Sequence, residues 1–231
     1  MWLGACAALG LLWTLAASWQ AEDGAARTAA RGVLGGLAAL GTASIAYGLL
    51  DAAGLPVRWE AIARGAWPAL GVAALVGLVE EGAKLAGVVL AAPAHRRRSW
   101  GVVRITAAVA AVFAVAEAAI ALPGVSWPVA LGRAALGPVA HAALLAPLAV
   151  VLAEAPARAP GRLVGRLGLA LLAVAALHGL GDWSIARPGW GRAGFAAALL
   201  APTIWVYLRT RHAEVPAPSP PRLAPVRAGP G

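Results

Sequence analysis

The stretch GVAALVGLVEEGAKLAGVVL, residues 71–90, decides the fold. It has the roughly 20-residue length that carries an α-helix across the hydrocarbon core of a bilayer, and it is apolar except for Glu80, Glu81 and Lys84. Comparable apolar runs recur on both sides. Working outward gives seven spans, at about 2–18, 32–54, 68–92, 104–122, 129–153, 167–185 and 193–209. The composition agrees: 61% of the 231 residues are hydrophobic and 13% are charged, against about 25% charged in a soluble domain. The abundant Ala and Gly suit membrane helices, whose backbones approach closely at small residues. The chain therefore reads as all-α, a polytopic transmembrane helical bundle of about seven spans over residues 1–209.

A net charge of +9 raises the question of a nucleic-acid partner. The arginines answer it by falling in short clusters between apolar runs instead of along one solvated face, so no nucleic acid is expected. Placing the loop His95-Arg96-Arg97-Arg98 in the cytoplasm fixes the other loops by alternation. Thirteen basic residues then lie inside and four outside (Arg58, Arg64, Arg187 and Arg192), with Lys84 and Arg133 within spans. That bias predicts a cell-membrane protein with its N-terminus outside and its C-terminus cytoplasmic. The first span lacks a basic leading segment and reads as a retained helix in preference to a cleaved signal. Residues 210–231, rich in Pro, Ala and Arg, read as a disordered cytoplasmic tail. Cys6 is the only cysteine, which excludes a disulfide framework, a zinc ribbon and a thiol redox pair.

The informative residues are those a bilayer should exclude. A charge at the centre of a span costs about 2.5–3.5 kcal/mol on insertion scales, so such residues are rare and usually functional. Here Glu80, Glu81 and Lys84 fall in the third span, Glu117 in the fourth, Arg133 and His141 in the fifth, and His178 and Asp182 in the sixth. Counted from the start of each span, Glu80, Glu117, His141 and His178 lie 11 to 13 residues in, which is roughly 16–20 Å at 1.5 Å per residue. Four successive helices thus offer polar groups at one level, near mid-bilayer. Glu80 with Lys84, and His178 with Asp182, are i,i+4 pairs that share a helix face. Arg133, Gly137 and His141 run along one face, where Gly137 would permit close helix approach.

In order along the chain these residues read Glu80-Glu81-Gly82-Ala83-Lys84 (EExxK), Phe113 to Glu117 (FxxxE), Arg133 and His141 in one span, and His178 to Asp182 (HxxxD). This ordered set, each motif in its own helix, resembles the PrsW family of intramembrane proteases, which groups with the CAAX prenyl proteases and bacteriocin-processing enzymes. The resemblance covers spans three to six and implies a protease core at about 68–185. It departs at Val112, where relatives often carry Gly, and at Ala118, where they often carry Asn. It implies an endopeptidase acting on a membrane-associated protein, such as a single-span regulatory protein.

Peptide hydrolysis needs an activated water, a polarised carbonyl and a proton donor for the leaving amine. Either Glu80 or Glu81 would serve as the base, with His141 orienting the water and His178, held by Asp182, polarising the carbonyl or protonating the amine. Glu117 takes a position filled by histidine in the CAAX-protease branch, which makes it a second base or a metal ligand. Lys84 and Arg133 support the site as charge partners. The cofactor is open: there is no HExxH, but two histidines and a carboxylate form a recognised catalytic zinc set, which Glu117, His141 and His178 could supply. The competing classes are a proton-coupled membrane transporter, since intramembrane Glu, His and Lys chains also relay protons, and a catalytically inactive membrane scaffold.

Overall fold

The computed structural model describes residues 24–64, 67–92, 101–121, 126–154, 160–185, 187 and 189–211. Every regular element among them is an α-helix: α1 (Ala25–Ala52), α2 (Trp59–Ala63), α3 (Ala69–Ala91), α4 (Gly101–Ala121), α5 (Trp127–Ala153), α6 (Pro160–Ile185) and α7 (Trp190–Thr210). Five of them, α1, α4, α5, α6 and α7, are long and apolar enough to cross a membrane. Helix α3 is also long, at 23 residues, and carries the three charges of the opening stretch. The chain is a polytopic transmembrane helical bundle. The expected first span, the His95–Arg98 loop and the tail beyond Arg211 lie outside the described residues.

The helices match the expected spans, and several of them start earlier. Helix α1 starts at Ala25 and α6 at Pro160, each seven residues before the apolar run that signals it. Arg27 and Arg31, and Arg162 and Arg166, continue the helix beyond the apolar run, because backbone hydrogen bonding does not stop where hydropathy does. Helix α5 likewise runs unbroken through Pro138 and Pro147. The short helix α2 leaves no signal in the apolar pattern.

Packing closes five helices into a ring: α1 lies against α3 and α4, α4 against α5, α5 against α6, and α6 against α3. Helix α7 packs outside, on α5 and α6, while α2 lies across α3 and α6. Without a hydrophobic drive between helices in lipid, close contact must come from small residues. A Cβ on Gly77 would strike the Ala175 carbonyl, and one on Gly179 would sit 2.5 Å from the Ala73 oxygen, so α3 and α6 cross almost backbone to backbone. Gly87 meets the Gly35 carbonyl in the same way where α3 crosses α1. The expected close approach at Gly137 is absent: a Cβ there would meet only the Ala114 Cβ, at 3.7 Å.

Apolar side chains plug one end of the ring and cover part of the other, on its α2, α3 and α6 side. At one end, Val88, Val102, Ile105, Val109, Leu145, Leu148, Leu152 and Val174 form a core shared by α3, α4, α5 and α6. Beyond it, Glu154 accepts hydrogen bonds from Arg209 (2.9 Å from Nε, 3.0 Å from Nη2) and Arg166 (3.1 Å), joining the ends of α5, α6 and α7. At the other end, Ile62, Ala69, Ala73, Val76 and Trp183 pack together. There the Arg187 guanidinium lies over the rings of Trp67 (4.7 Å) and Trp183 (4.2 Å). Trp67 and Trp190 are exposed, as interfacial anchors are, but Trp183 is buried in this stack and does not face lipid. Between these two apolar clusters lies the polar level.

Candidate active site

Helix α3 places Glu80, Glu81 and Lys84 on the face turned into the ring, all three buried. Lys84 is the hub. Its ammonium donates to Glu81 Oε1 at 2.7 Å, lies 3.6 Å from Glu80 Oε2 and 2.6 Å from His141 Nδ1, and sits 4.6 Å above the Phe113 ring. An ammonium can only donate, so His141 Nδ1 is the acceptor and the ring carries its hydrogen on Nε2. That nitrogen points to Glu117 Oε2 at 3.2 Å. Glu117 in turn accepts from Arg133 Nη2 at 2.9 Å through its other oxygen. Phe113, buried in the apolar core beside the site, also forms the aromatic floor under the lysine.

Helix α6 brings His178 into the same cluster. Its Nδ1 lies 2.7 Å from Glu81 Oε1, while Nε2 faces Glu80 Oε2 at 3.7 Å and Asp182 Oδ2 at 3.5 Å. The nearest anchor of His178 is therefore Glu81 on another helix, and Asp182 one turn along its own helix is the looser neighbour. The i,i+4 spacing was visible in the sequence; the tighter contact across the α3–α6 crossing was not. The rings of His141 and His178 stand edge to face with centroids 5.5 Å apart.

All eight sequence-predicted residues thus meet in one connected network: Glu80, Glu81, Lys84, Glu117, Arg133, His141, His178 and Asp182. Within it the potential metal donors regroup. Ligand atoms of Glu80, His141 and His178 lie within 4.8 Å of one another, whereas the sequence had suggested Glu117 as the carboxylate of that trio. Glu117 is engaged by Arg133 and His141. Glu80 Oε2 and Glu81 Oε2 are buried without a hydrogen bond among the described residues.

One polar contact had no forewarning in the sequence. Tyr47 of α1 donates its hydroxyl hydrogen bond to Glu80 Oε1 at 3.1 Å. A tyrosine near a span end reads as an interfacial anchor, and the charges of α1 (Arg27, Arg31 and Asp51) lie near its ends, away from mid-span.

Exposure falls steadily into the ring. The side chains of Arg133, Asp182 and Glu117 are 45%, 34% and 28% exposed, against 5% for Glu80 and none for Lys84. The cluster is thus open toward the end of the bundle where α4 and α6 finish, and closed behind Lys84 by the apolar plug. Such a well holds acids, imidazoles and an ammonium at hydrogen-bonding distance, reachable from one side.

The description "PrsW family intramembrane metalloprotease" matches residues 25–208, from the first turn of α1 to the last turn of α7. No curated protein and no solved structure matches the chain. A match over most of the length, on a bundle of membrane-spanning helices, establishes the relationship that the EExxK, FxxxE and HxxxD motifs suggested. The chain belongs to the PrsW family, and it is a multi-pass intramembrane protease.

Proposed function

We propose that the chain is an endopeptidase that hydrolyses a peptide bond in a membrane-associated protein, a single-span regulatory protein being the expected class, with water activated between Glu80 and His178. The observation that carries this reading is the unpartnered Glu80 Oε2, which faces His178 Nε2 across 3.7 Å. A separation slightly beyond hydrogen-bonding range between two polar atoms suits a water that touches both. Glu80 Oε2 takes the proton of the attacking water, and His178, doubly protonated with its Nδ1–H on Glu81, uses its Nε2–H to polarise the carbonyl or protonate the leaving amine.

The adjacent glutamates divide the work. Glu81 is fully buried, with Oε1 occupied by Lys84 and His178, so it orients the imidazole and does not reach the substrate. By accepting from Nδ1 it leaves Nε2 turned to the cavity. Lys84 balances both carboxylates and fixes the His141 tautomer. His141 and Glu117 line the wall toward the opening, where Arg133 holds Glu117 in place.

The family's description implies a metal ion, and the residues fit one. Glu80, His141 and His178 offer the two-imidazole, one-carboxylate donor set of catalytic zinc sites, and Glu80 contributes a buried oxygen that lacks a hydrogen bond. His141 would release Lys84 to join them. Bound there, the ion would supply Lewis-acid polarisation and a more acidic water. With Glu80 then used as a ligand, Asp182, 3.5 Å from the same His178 nitrogen, is the carboxylate left to take the proton. Glu81 keeps its part in either case, as the carboxylate that orients a ligating histidine.

The distribution of arginines supports a cell-membrane orientation with the C-terminus in the cytoplasm. The open end of the well then faces outward, so the scissile bond lies toward the extracytoplasmic side of the substrate. Co-expression with candidate single-span proteins tests the reading. Wild type yields a fragment that Glu80→Gln combined with Glu81→Gln abolishes, and a fragment that persists in the double variant refutes it. Elemental analysis of purified protein, with cleavage measured before and after chelation, decides the metal: full activity in stripped protein removes the ion from the scheme.

A further inference from the structure

We propose that Tyr47 is a positioning residue of the active site, its hydroxyl holding the Glu80 carboxylate in the rotation that turns Oε2 toward His178. The proposal rests on the part given to Glu80 above. Lys84 and His178 approach Glu80 from the Oε2 side, Lys84 Nζ at 3.6 Å and His178 Nε2 at 3.7 Å, neither within hydrogen-bonding range. The Tyr47 hydroxyl, 3.1 Å from Oε1, is the hydrogen bond that the carboxylate makes among the described residues. A buried Glu with free χ3 rotation would satisfy Oε2 by swinging onto Lys84 or His178. Anchoring Oε1 from the neighbouring helix α1 prevents that collapse and leaves Oε2 available.

The tyrosine is itself held firmly enough to act in this way. Its ring packs against the Ile62–Trp183 cluster on one side and the Ala39–Phe113 cluster on the other. Trp59 of α2 meets it edge-on, at 6.1 Å and 76°. Position along α1 is fixed in turn by the glycine crossing at Gly35 and Gly87, where the α1 and α3 backbones touch. Only the hydroxyl reaches the polar level, so packing sets the ring and the ring sets the carboxylate. A hydroxyl on a rigid aromatic body orients a partner without contributing a second charge to an already crowded cluster.

Tyr47→Phe removes the hydroxyl and keeps the ring, and the test is steady-state cleavage by the purified, detergent-solubilised full chain. The probe is the single-span reporter whose cleavage distinguishes wild type from the double glutamine variant. The expected result is a fall in kcat of about 10–100-fold, the usual effect of losing an orienting partner, with KM within about twofold and an unchanged unfolding temperature. An unchanged kcat overturns the proposal. So does a fall in kcat matched by a lower unfolding temperature, which would mark Tyr47 as packing alone, or an effect confined to KM, which would mark it as a substrate contact. Glu80→Gln run alongside separates the two levels of the argument. If that variant cleaves like wild type, the role of Glu80 fails, and Tyr47 with it; if it is inactive while Tyr47→Phe is normal, only the tyrosine proposal fails.

Discussion

Replacing Gly179 by alanine should disable the site while adding a single methyl group. The added Cβ would lie 2.5 Å from the Ala73 oxygen and 2.6 Å from the Ala73 carbonyl carbon and the Ala74 Cα. All three are backbone atoms that cannot rotate away. Opening that approach to the 3.0–3.4 Å range of tight but real Cβ contacts moves α6 from α3 by about 0.5–0.9 Å, a small-to-large strain typically worth about 1–3 kcal/mol. Alanine returns up to about 1 kcal/mol through its better helix propensity, so the net loss of stability is modest. The chemistry is less forgiving. His178 is the neighbouring residue, and its 2.7 Å contact with Glu81 spans the same crossing. Stretched by the same amount, it lengthens from a short hydrogen bond to about 3.2–3.6 Å, at the weak edge of hydrogen-bonding range, and loosens its hold on the imidazole. A misplacement approaching 1 Å in a catalytic group costs on the order of 100-fold in rate. The assay is cleavage of a single-span reporter, beside thermal unfolding in detergent, with Gly137→Ala as the control because its Cβ would meet only a methyl group at 3.7 Å. Gly137→Ala should keep full activity and stability. Equal activity in the two variants would refute the claim that the α3–α6 crossing sets the site.

Lys84→Met should sharply reduce folded protein, since it strips the cation from between two buried carboxylates; breaking a buried pair from one side costs about 3–5 kcal/mol. Lys84→Arg should not rescue it, the guanidinium fork being too broad for a space that holds a compact ammonium; yield and unfolding temperature at wild-type levels in either variant would contradict this. For topology, a fluorescent protein fused after Gly231 should fluoresce and an alkaline phosphatase at the same point should be inactive. The reverse pattern would place the open end of the well on the cytoplasmic side.

The site was legible in the sequence for one physical reason: charge is costly in lipid. Glu80, Glu81, Lys84, Glu117, Arg133, His141, His178 and Asp182 stood out because each breaks an apolar run, and equal depth along four spans implied that they meet. What that logic sees is the polarity of a residue against its own helix. It does not see the neighbour across the gap, so His178 was paired with Asp182 one turn away when the closer carboxylate is Glu81. Tyr47 escaped for the complementary reason. A phenol is tolerated near a membrane interface, so its presence costs nothing and signals nothing, although its hydroxyl reaches Glu80.

Glycine marks the deeper limit. The chain has 28 glycines, and a motif reading ties Gly137 to the charged face on which it lies, yet the approaches that hold the ring together are at Gly77, Gly179, Gly35 and Gly87. A glycine acts by what it lacks, and what it lacks matters only where another backbone arrives. Those arrivals depend on the mutual placement of whole helices, a property of the pair that neither helix's sequence contains alone. The polar residues therefore indicate that a site exists and at what depth, while the small residues determine its distances. Chemistry in this bundle is written in the charges and its geometry in the glycines, so a variant that keeps every acid and imidazole but fills the Gly77–Gly179 crossing would still carry the EExxK and HxxxD motifs and lose the contact between them.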